Sequence, residues 1–412
     1  MSASDTFEIE LTAMAHGGSA LGRHAGKTVF VPYAIPGERV LARAVEERGR
    51  VVFAEGVTLL EASADRVYPA CRHFGPGRCA RCQWQHIDYA AQLLLKQDVL
   101  ADQLARVGGF DDADVRPVIP APQQWGYNYH MTMVAGADGV PGFPLTTGAG
   151  ILVPDECHVL HPDLLLLYQS LDLQFDGLRR LTLRRGSDGA LMLVVTLAGD
   201  NAPELHTDMP ASVNMLLSDG EPVNLIGETH TRWTVGDRVF RATAGSAFRA
   251  CVPQLAALVG QVMGALDLRG DEAVLDLYAG VGVFSAFSAP LAGLVTAVES
   301  FPPAATDAEV NLADADNVDI IEGAVEDVLP ALDPVYGAAV VDPPGEGLSV
   351  TAVDALAALN VPRLVYVGGD PATLARDAQR LARHGYALRW VQPLDLAPQT
   401  YYIEAVALLE RA

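Results

Sequence analysis

The chain has 412 residues, half of them hydrophobic, and a formal net charge of −23 at pH 7. This length and composition predict a globular protein of two or three domains. The sequence shows no long uncharged apolar run and begins with the polar segment MSASDTFEIE, so we expect no membrane span or secretory signal, and a cytoplasmic location. The acidic excess argues against nucleic-acid binding by the whole chain, but the first 110 residues carry equal numbers of acidic and basic side chains.

The first predicted unit runs from Phe7 to about Val67, where short segments of alternating polar and apolar residues are separated by Gly and Pro turns. This pattern indicates a compact all-β unit, most simply a five-stranded barrel of the OB type. The stretch AHGGSALGRHAGKTVFVPYAIPGERV (15–40) resembles the TRAM domain, an RNA-binding module, although a barrel without a ligand is the alternative. Phosphate contacts in such a barrel would come from Arg23, Lys27, Arg39, Arg43, Arg48 and Arg50.

Three cysteines, Cys71, Cys79 and Cys82, follow the barrel closely, and Cys157 comes later in the segment VPDECHVLHP. Thiolates at C-x2-C spacing place two sulfurs on one metal or cluster, and two further cysteines complete a set of four ligands. From this chemistry alone, zinc and an iron–sulfur cluster remain alternatives. Unrelated buried thiols are the less favoured interpretation, because three of the cysteines are so closely spaced.

The segment CARCQWQHIDYAAQLLLKQDVL (79–100) resembles a signature of the RNA uracil-5-methyltransferase family, in which four cysteines hold a 4Fe-4S cluster. The resemblance implies a cluster on Cys71, Cys79, Cys82 and Cys157. The first spacing departs from the family pattern, with seven residues instead of five, which a surface loop can absorb. The fifth cysteine, Cys251, is interpreted as a small core residue.

After about residue 265, apolar strand patterns alternate with helical ones. Uninterrupted apolar strands separated by helices indicate a mostly parallel sheet that is covered on both faces. The first strand runs into DLYAGVGVF (276–284), whose glycines allow the backbone to approach a ligand closely. Glu299 ends the next strand, where it can accept hydrogen bonds from ribose hydroxyls.

The D-x-x-x-G-x-G pattern, together with an Asp-Pro-Pro motif (342–344) at the end of the fourth strand, resembles the class I S-adenosylmethionine (SAM) methyltransferases. The resemblance implies SAM as the cofactor and a reaction centre at the Asp-Pro-Pro motif. The segment YYIEAVALLER (401–411) matches the antiparallel edge strand of those enzymes. The implied donor site consists of Asp276, Tyr278, Gly280, Gly282, Glu299, Asp342 and Pro343.

The family methylates uracil carbon 5 by covalent catalysis: a cysteine thiolate adds to carbon 6, and a carboxylate later removes the carbon-5 proton. In the family the nucleophile lies in a segment resembling Y-V-S-C-N-P-x-T-x-A-R-D. This chain has YVGGDPATLARD (366–377), so the cysteine position is Gly369, whereas Glu404 matches the general base. Gly345 and Arg249 stand where the family has an arginine and a glutamine. We therefore do not expect ordinary 5-methyluridine formation.

Two functions fit this pattern. The first is a SAM-binding RNA methyltransferase that acts on an amine or hydroxyl by proximity to the donor, with Asp342, Asp370 or Glu404 as the base. The second is a non-catalytic relative that binds RNA or protein. In either case we expect weak RNA binding, mainly by the barrel, and a monomer, although the sequence does not determine the oligomeric state.

The sequence thus predicts an α/β multidomain protein. Residues 1–68 form the TRAM or OB-like domain, 69–235 a central α/β subdomain with the cysteine cluster, and 236–412 a Rossmann-like class I methyltransferase domain. The helical segment near 88–108 is expected to pack on the methyltransferase domain.

Overall fold

The structure, a computed structural model, describes residues 6–172, 177–203, 209–333 and 335–411. These residues form a closed five-stranded barrel, a seven-stranded central sheet, a two-stranded hairpin and a second seven-stranded sheet. This arrangement confirms the predicted α/β multidomain fold. No helix among the described residues combines the length and the apolar character needed to cross a membrane.

The N-terminal barrel has the strand order β1-β2-β3-β5-β4. Alternation along its first strand places Phe7, Ile9 and Leu11 inside the barrel. Its core continues onto Trp84 and onto Ile403 of the C-terminal region, so the barrel is packed against the rest of the chain. The barrel strands are β1 (Thr6–Met14), β2 (Ala20–His24), β3 (Lys27–Val31), β4 (Arg39–Arg48) and β5 (Val51–Glu61).

The central sheet has the order β12-β11-β10-β9-β6-β7-β8. A separate hairpin, β13 paired with β14, follows it, and the predicted domain boundary at 235/236 falls in the turn of this hairpin. The predicted boundaries themselves stay predictions. The elements are α1 (Tyr89–Gln103), β6 (His130–Ala135), β7 (Pro141–Pro144), β8 (Ile151–Leu152), α2 (Pro162–Gln169), β9 (Leu178–Arg185), β10 (Leu191–Leu197), β11 (Ala211–Leu216), β12 (Pro222–Ile226), β13 (His230–Val235) and β14 (Arg238–Thr243).

The C-terminal domain alternates strands and helices, as predicted. Its strands are β15 (Ala273–Leu277), β16 (Leu294–Glu299), β17 (Val318–Glu322), β18 (Tyr336–Val341), β19 (Arg363–Gly368), β20 (Tyr386–Leu394) and β21 (Glu404–Arg411). Its helices are α3 (Leu255–Leu266), α4 (Val283–Ser288), α5 (Pro302–Asn311), α6 (Val325–Val328), α7 (Val350–Ala358) and α8 (Pro371–Arg383). Strands β15 to β19 pair in parallel, and helices cover both faces of the sheet.

The position of β21 corrects one prediction. The sheet order is β17-β16-β15-β18-β19-β21-β20, so the last strand is antiparallel, as expected, but lies inside the sheet and not at its edge. The edge strand is β20, and two isolated bridges from Val115 and Ile119 partly cover it. The sequence of β21 does not show whether the strand lies inside the sheet or at its edge, because an interior strand and an edge strand that is covered by other segments are equally apolar.

Helix α1 links the parts of the molecule. The π-helical turn that extends it (Leu104–Gly108) packs on α8, which agrees with the prediction for this segment. Lys96 of α1 lies 2.7 Å from Asp395, and both side chains are completely buried. The contact holds α1 against the loop between β20 and β21. Removal of one partner would leave a buried, unpaired charge, which typically lowers the free energy of unfolding by about 3–5 kcal/mol.

Candidate active site

A cleft of about 840 Å³ opens at the carboxyl ends of the parallel strands of the C-terminal sheet. Strands of a parallel sheet end at one edge, so residues from distant segments meet there. Tyr278 follows β15, Glu299 ends β16, Asp342 follows β18 and Gly369 follows β19, and all four line the cleft. The strand ends singled out in the sequence therefore come together.

The donor end of the cleft, which comprises the turn after β15 and the end of β16, is built mainly from backbone. Gly280 N donates to Glu299 Oε2 at 2.8 Å, and Phe301 N donates to Glu299 Oε1 at 2.7 Å. Tyr278 adopts a left-handed conformation with φ of 61°. The two hydrogen bonds from backbone amides fix the Glu299 carboxylate, and each carboxylate oxygen keeps a lone pair that can accept from a further donor.

Gly282 is the position of this turn that requires glycine. Its φ is +83°, and a Cβ there would lie 2.9 Å from Leu312 Cδ1 and 3.3 Å from Ala308 Cβ. By contrast, a Cβ at Gly280 would meet nothing within 4 Å. Gly282 thus allows α4 to begin close to α5, whereas Gly280 leaves open space on the cleft side.

Asp276 lies deeper than predicted. Its side chain is fully buried and is not part of the cleft lining, and Ser285 Oγ donates to its Oδ2 at 2.6 Å. Among the described residues, Oδ1 has no hydrogen-bond partner. Burial, with smaller contributions from the carboxylates of Asp342 and Glu299, raises the pKa of Asp276 to about 7. Asp276 therefore supports the turn from below through Ser285, and its predicted contact with a donor stays a prediction.

The reaction end of the cleft consists of Arg249, Asp342, Gly345, Gly369 and Glu404. Arg249 Nη1 and Nη2 donate to the two oxygens of Asp342 at 2.9 and 2.7 Å, and Nη2 also donates to Glu404 Oε1 at 2.9 Å. Burial opposes the charge of Arg249, but the two carboxylates outweigh it and raise the pKa of Arg249 above its ordinary value. The sequence showed only a changed residue at this position, whereas in the structure Arg249 forms a bidentate ion pair with Asp342 and a further ion pair with Glu404, two of the three candidate bases.

The two glycines at the reaction end leave open space. A Cβ at Gly369 would lie 3.5 Å from Glu404 Oε2, which is an ordinary contact, and a Cβ at Gly345 would meet nothing within 4 Å. Cys251 does not place a thiol in the cleft, because it is buried and lies outside the cleft lining. Burial also raises the pKa of Cys251 to about 12, so the thiol is protonated at neutral pH.

One wall of the cleft comes from the N-terminal barrel, which sequence reasoning missed. His16, in the loop between β1 and β2, lines the cleft, and its Nε2 lies 3.2 Å from Asp370 Oδ2. This hydrogen bond raises the pKa of His16 above its ordinary value, although burial opposes the shift, and it lowers the pKa of Asp370. In the sequence, His16 is part of the stretch 15–40 that resembles the TRAM domain, and no local signal connects it to residue 370.

The barrel surface itself offers less free positive charge than predicted. Four of the six proposed phosphate-binding side chains form ion pairs with carboxylates of the barrel. These pairs are Lys27 with Glu47, Arg39 with Glu61, Arg43 with Glu55 and Arg48 with Glu46. Each of these ion pairs would have to break before its basic side chain could bind a phosphate.

The four cysteines predicted as ligands surround one small pocket. Cys71, Cys79, Cys82 and Cys157 all line it, and all are free thiols. Burial raises the pKa of Cys82 to about 12. Over residues 6–172, 177–203, 209–333 and 335–411, no group of three or more His, Cys, Asp or Glu side chains has the arrangement that holds a metal ion. The structure thus brings the four cysteines together, and the cluster stays a prediction.

The sheet order, the interior antiparallel strand β21 and the cleft at the strand ends define the C-terminal domain as a class I methyltransferase fold. An uncharacterized RNA methyltransferase of Streptomyces avermitilis is 34% identical over 429 residues and is matched across 99% of both chains. An uncharacterized RNA methyltransferase of Halalkalibacterium halodurans is 32% identical, with 99% of this chain and 97% of that one covered. The protein belongs to this family of RNA methyltransferases.

A solved structure shares the fold over nearly the whole chain. The tRNA (uracil-54, C5)-methyltransferase of Pyrococcus abyssi, in complex with S-adenosyl-L-homocysteine, superposes with a TM-score of 0.74 at 22% identity. The match covers 98% of this chain and 100% of that one. No family model matches the chain.

Proposed function

We propose that this protein is a SAM-dependent RNA methyltransferase that modifies an amine or hydroxyl, and not carbon 5 of uracil. The observation that carries the proposal is the contrast within the cleft. The donor end keeps its glycine turn and Glu299, whereas the reaction end has Gly369 in place of a nucleophile. Glycine cannot form a covalent adduct with a pyrimidine ring, so the attacking atom has to belong to the substrate.

The donor end fits SAM, which supplies a methyl group on a positively charged sulfur. The Glu299 carboxylate is fixed by two amides and can accept the ribose hydroxyls. Open space at Gly280 lets the backbone approach the ligand, and Tyr278 and Pro343 line the same cavity. The cavity of about 840 Å³ is large enough for a nucleoside-sized cofactor together with part of a second substrate.

RNA is the proposed acceptor because of the family and because of aromatic side chains at the cleft. Tyr401 and Tyr402 line the cavity with ring centroids 4.5 Å apart, and Tyr402 is 52% exposed. An exposed aromatic ring beside a catalytic cavity suits the stacking of an unpaired base. The ion pairs on the barrel support a weak contribution of this domain to RNA affinity.

The alternative function is a non-catalytic relative. Arg249 favours it, because this side chain holds both Asp342 and Glu404 in ion pairs and thereby lowers their availability as bases. The geometry of the donor end favours the enzymatic function, since the Glu299 carboxylate is held in an open cleft with acceptor capacity for a ligand.

Calorimetry with SAM, followed by methyl transfer from labelled SAM to bulk RNA, tests the proposed function. We expect SAM binding and labelled RNA in which mass spectrometry finds no new 5-methyluridine. Glu299→Ala should weaken SAM binding about 10- to 100-fold, because a fixed acceptor is lost. Glu322→Ala is the matched control, since Glu322 is the register partner of Glu299 on β17 but lies outside the cleft.

Three results would contradict the proposal in different ways. Absence of SAM binding excludes the enzymatic function and supports the non-catalytic alternative. SAM binding without labelled RNA excludes RNA as the acceptor. Formation of 5-methyluridine shows that the reaction proceeds without a nucleophile at residue 369.

For the four cysteines we propose a 4Fe-4S cluster, with zinc as the alternative. Their convergence on one pocket supports four thiolate ligands, and Cys157 would tie the segment 71–82 to the segment that precedes α2. Protein purified without oxygen should contain iron and sulfide, and Cys82→Ser should lose most of both. Cys251→Ala is the matched control, because Cys251 is buried but does not line the pocket of the four cysteines, so the iron content should not change. Zinc in place of iron, or neither metal, would contradict the cluster.

A further inference from the structure

The proposed reaction needs a group that accepts the proton of the substrate. The sequence offered Asp342, Asp370 and Glu404 as candidates, yet Asp342 and Glu404 both accept hydrogen bonds from the Arg249 guanidinium. A carboxylate in a charge-assisted bond of this kind is a poorer proton acceptor than a free one. Another group in the cleft lining is therefore better suited to accept the proton.

His16 and Asp370 form a histidine–carboxylate pair across the boundary between the barrel and the catalytic domain. His16 belongs to the barrel, whereas Asp370 directly follows Gly369 on the catalytic domain, and both side chains are 34% exposed in the cleft. The other oxygen of Asp370 accepts from Ala372 N and Thr373 N, each at 2.9 Å, and so caps α8. The carboxylate is thus fixed by backbone on one side and points its second oxygen at the imidazole.

The loop that carries His16 is also fixed. Trp84 is fully buried, and its Nε1 donates to Gly18 O at 3.0 Å. Gly18 packs so closely on Tyr401 that an added Cβ would lie 2.8 Å from that ring. The position of His16 relative to the cleft therefore depends on tight packing between the two domains, as a preorganised catalytic group requires.

We propose that His16 is the general base of this methyltransferase and that Asp370 is the positioning residue that orients it; this inference rests on the proposed function. With Nε2–H donated to Asp370, the lone pair of Nδ1 accepts the proton. A bond forms between the attacking nitrogen or oxygen and the methyl carbon, and the carbon–sulfur bond breaks with its electron pair going to sulfur. The N–H or O–H proton passes to Nδ1, and the imidazolium releases it to water after the product leaves.

The charges around His16 set the pH dependence of this step. Asp370 faces the ring directly, and Arg249, Asp342, Glu299 and Glu404 are the other charged groups that line the cleft. A base must be neutral to act, so the rate should rise as the pH rises through the pKa of His16. Removing the charge of Asp370 lowers that pKa, so the rising limb of the profile should move to lower pH.

The test measures pH–rate profiles of methyl transfer to bulk RNA, together with an NMR titration of the His16 imidazole. His16→Gln should lower the rate about 10²- to 10⁴-fold, with unchanged SAM affinity in calorimetry. Asp370→Asn preserves the cap of α8, because Asn caps helices as well as Asp does. It should shift the NMR pKa and the rising limb downward by the same amount.

A matched control is His384→Gln. His384 lies 3.1 Å from Asp354 in an exposed pair at the end of α8, outside the cleft, so the rate and its profile should not change. A His16→Gln rate equal to that of the unchanged protein overturns the proposal, as does a limb that stays in place while the NMR pKa moves. If the unchanged protein transfers no methyl group at any pH, the proposed function fails as well, and this result is distinct from the other two.

Discussion

The two ends of the cleft differ in the groups that provide their contacts. At the donor end, the turn after β15 and the end of β16 are held by bonds from backbone amides to Glu299. At the reaction end, side chains provide the contacts, and Arg249 connects two carboxylates. Backbone donors stay in place when side chains are substituted, whereas the contacts of Arg249 are lost with a single substitution at residue 249. Substitutions at the reaction end can therefore change its contacts while the donor turn keeps its conformation.

The largest effect should come from breaking the donor end at Gly282. Gly282→Val forces a β-branched residue into φ of +83° and places its Cβ against Leu312 and Ala308. Strain and overpacking together should lower the free energy of unfolding by about 2–4 kcal/mol. Because the turn moves, SAM affinity should also fall at least about 10-fold, as calorimetry and denaturant unfolding would show.

The reaction end provides the counterpart. Gly345 has open space and no left-handed φ, so Gly345→Ala should change the free energy of unfolding by less than about 0.5 kcal/mol and leave SAM affinity unchanged. If Gly345→Ala costs as much as Gly282→Val, the contrast between backbone and side-chain construction is wrong.

The sequence predicted the features that local pattern determines. Five barrel strands and the strand ends at Glu299 and Asp342 follow from period-two alternation and apolar runs, and the structure has them. The position of β21 inside the sheet was not predictable, since strand order depends on packing between distant segments. The cleft contacts of His16 and Arg249 were missed for the same reason: an ion pair such as Arg249–Glu404 joins residues 155 positions apart, and neither residue carries a local signal of its partner.

A small effect on stability should also come from Gly369→Cys, which tests whether the reaction end differs only in its side chains. A Cβ at this position makes an ordinary contact of 3.5 Å with Glu404 Oε2, so the free energy of unfolding should change by less than about 1 kcal/mol. Gly368→Cys is the matched control, because Gly368 is buried and its Cβ would lie 2.9 Å from Tyr366 Cε1. We expect this neighbouring variant to be clearly destabilised in denaturant unfolding.

The chemical result of Gly369→Cys depends on Arg249. A thiol beside Glu404 restores the attacking group, but the carbon-5 proton still has to be removed, and Glu404 remains bonded to the Arg249 guanidinium. The single variant should therefore make no 5-methyluridine from bulk RNA, whereas Gly369→Cys with Arg249→Gln should make a detectable amount by nucleoside mass spectrometry. Product from the single variant would show that Arg249 does not restrain Glu404. Absence of product from the double variant, with SAM binding intact, would show that the two ends of the cleft differ by more than the side chains at residues 249 and 369.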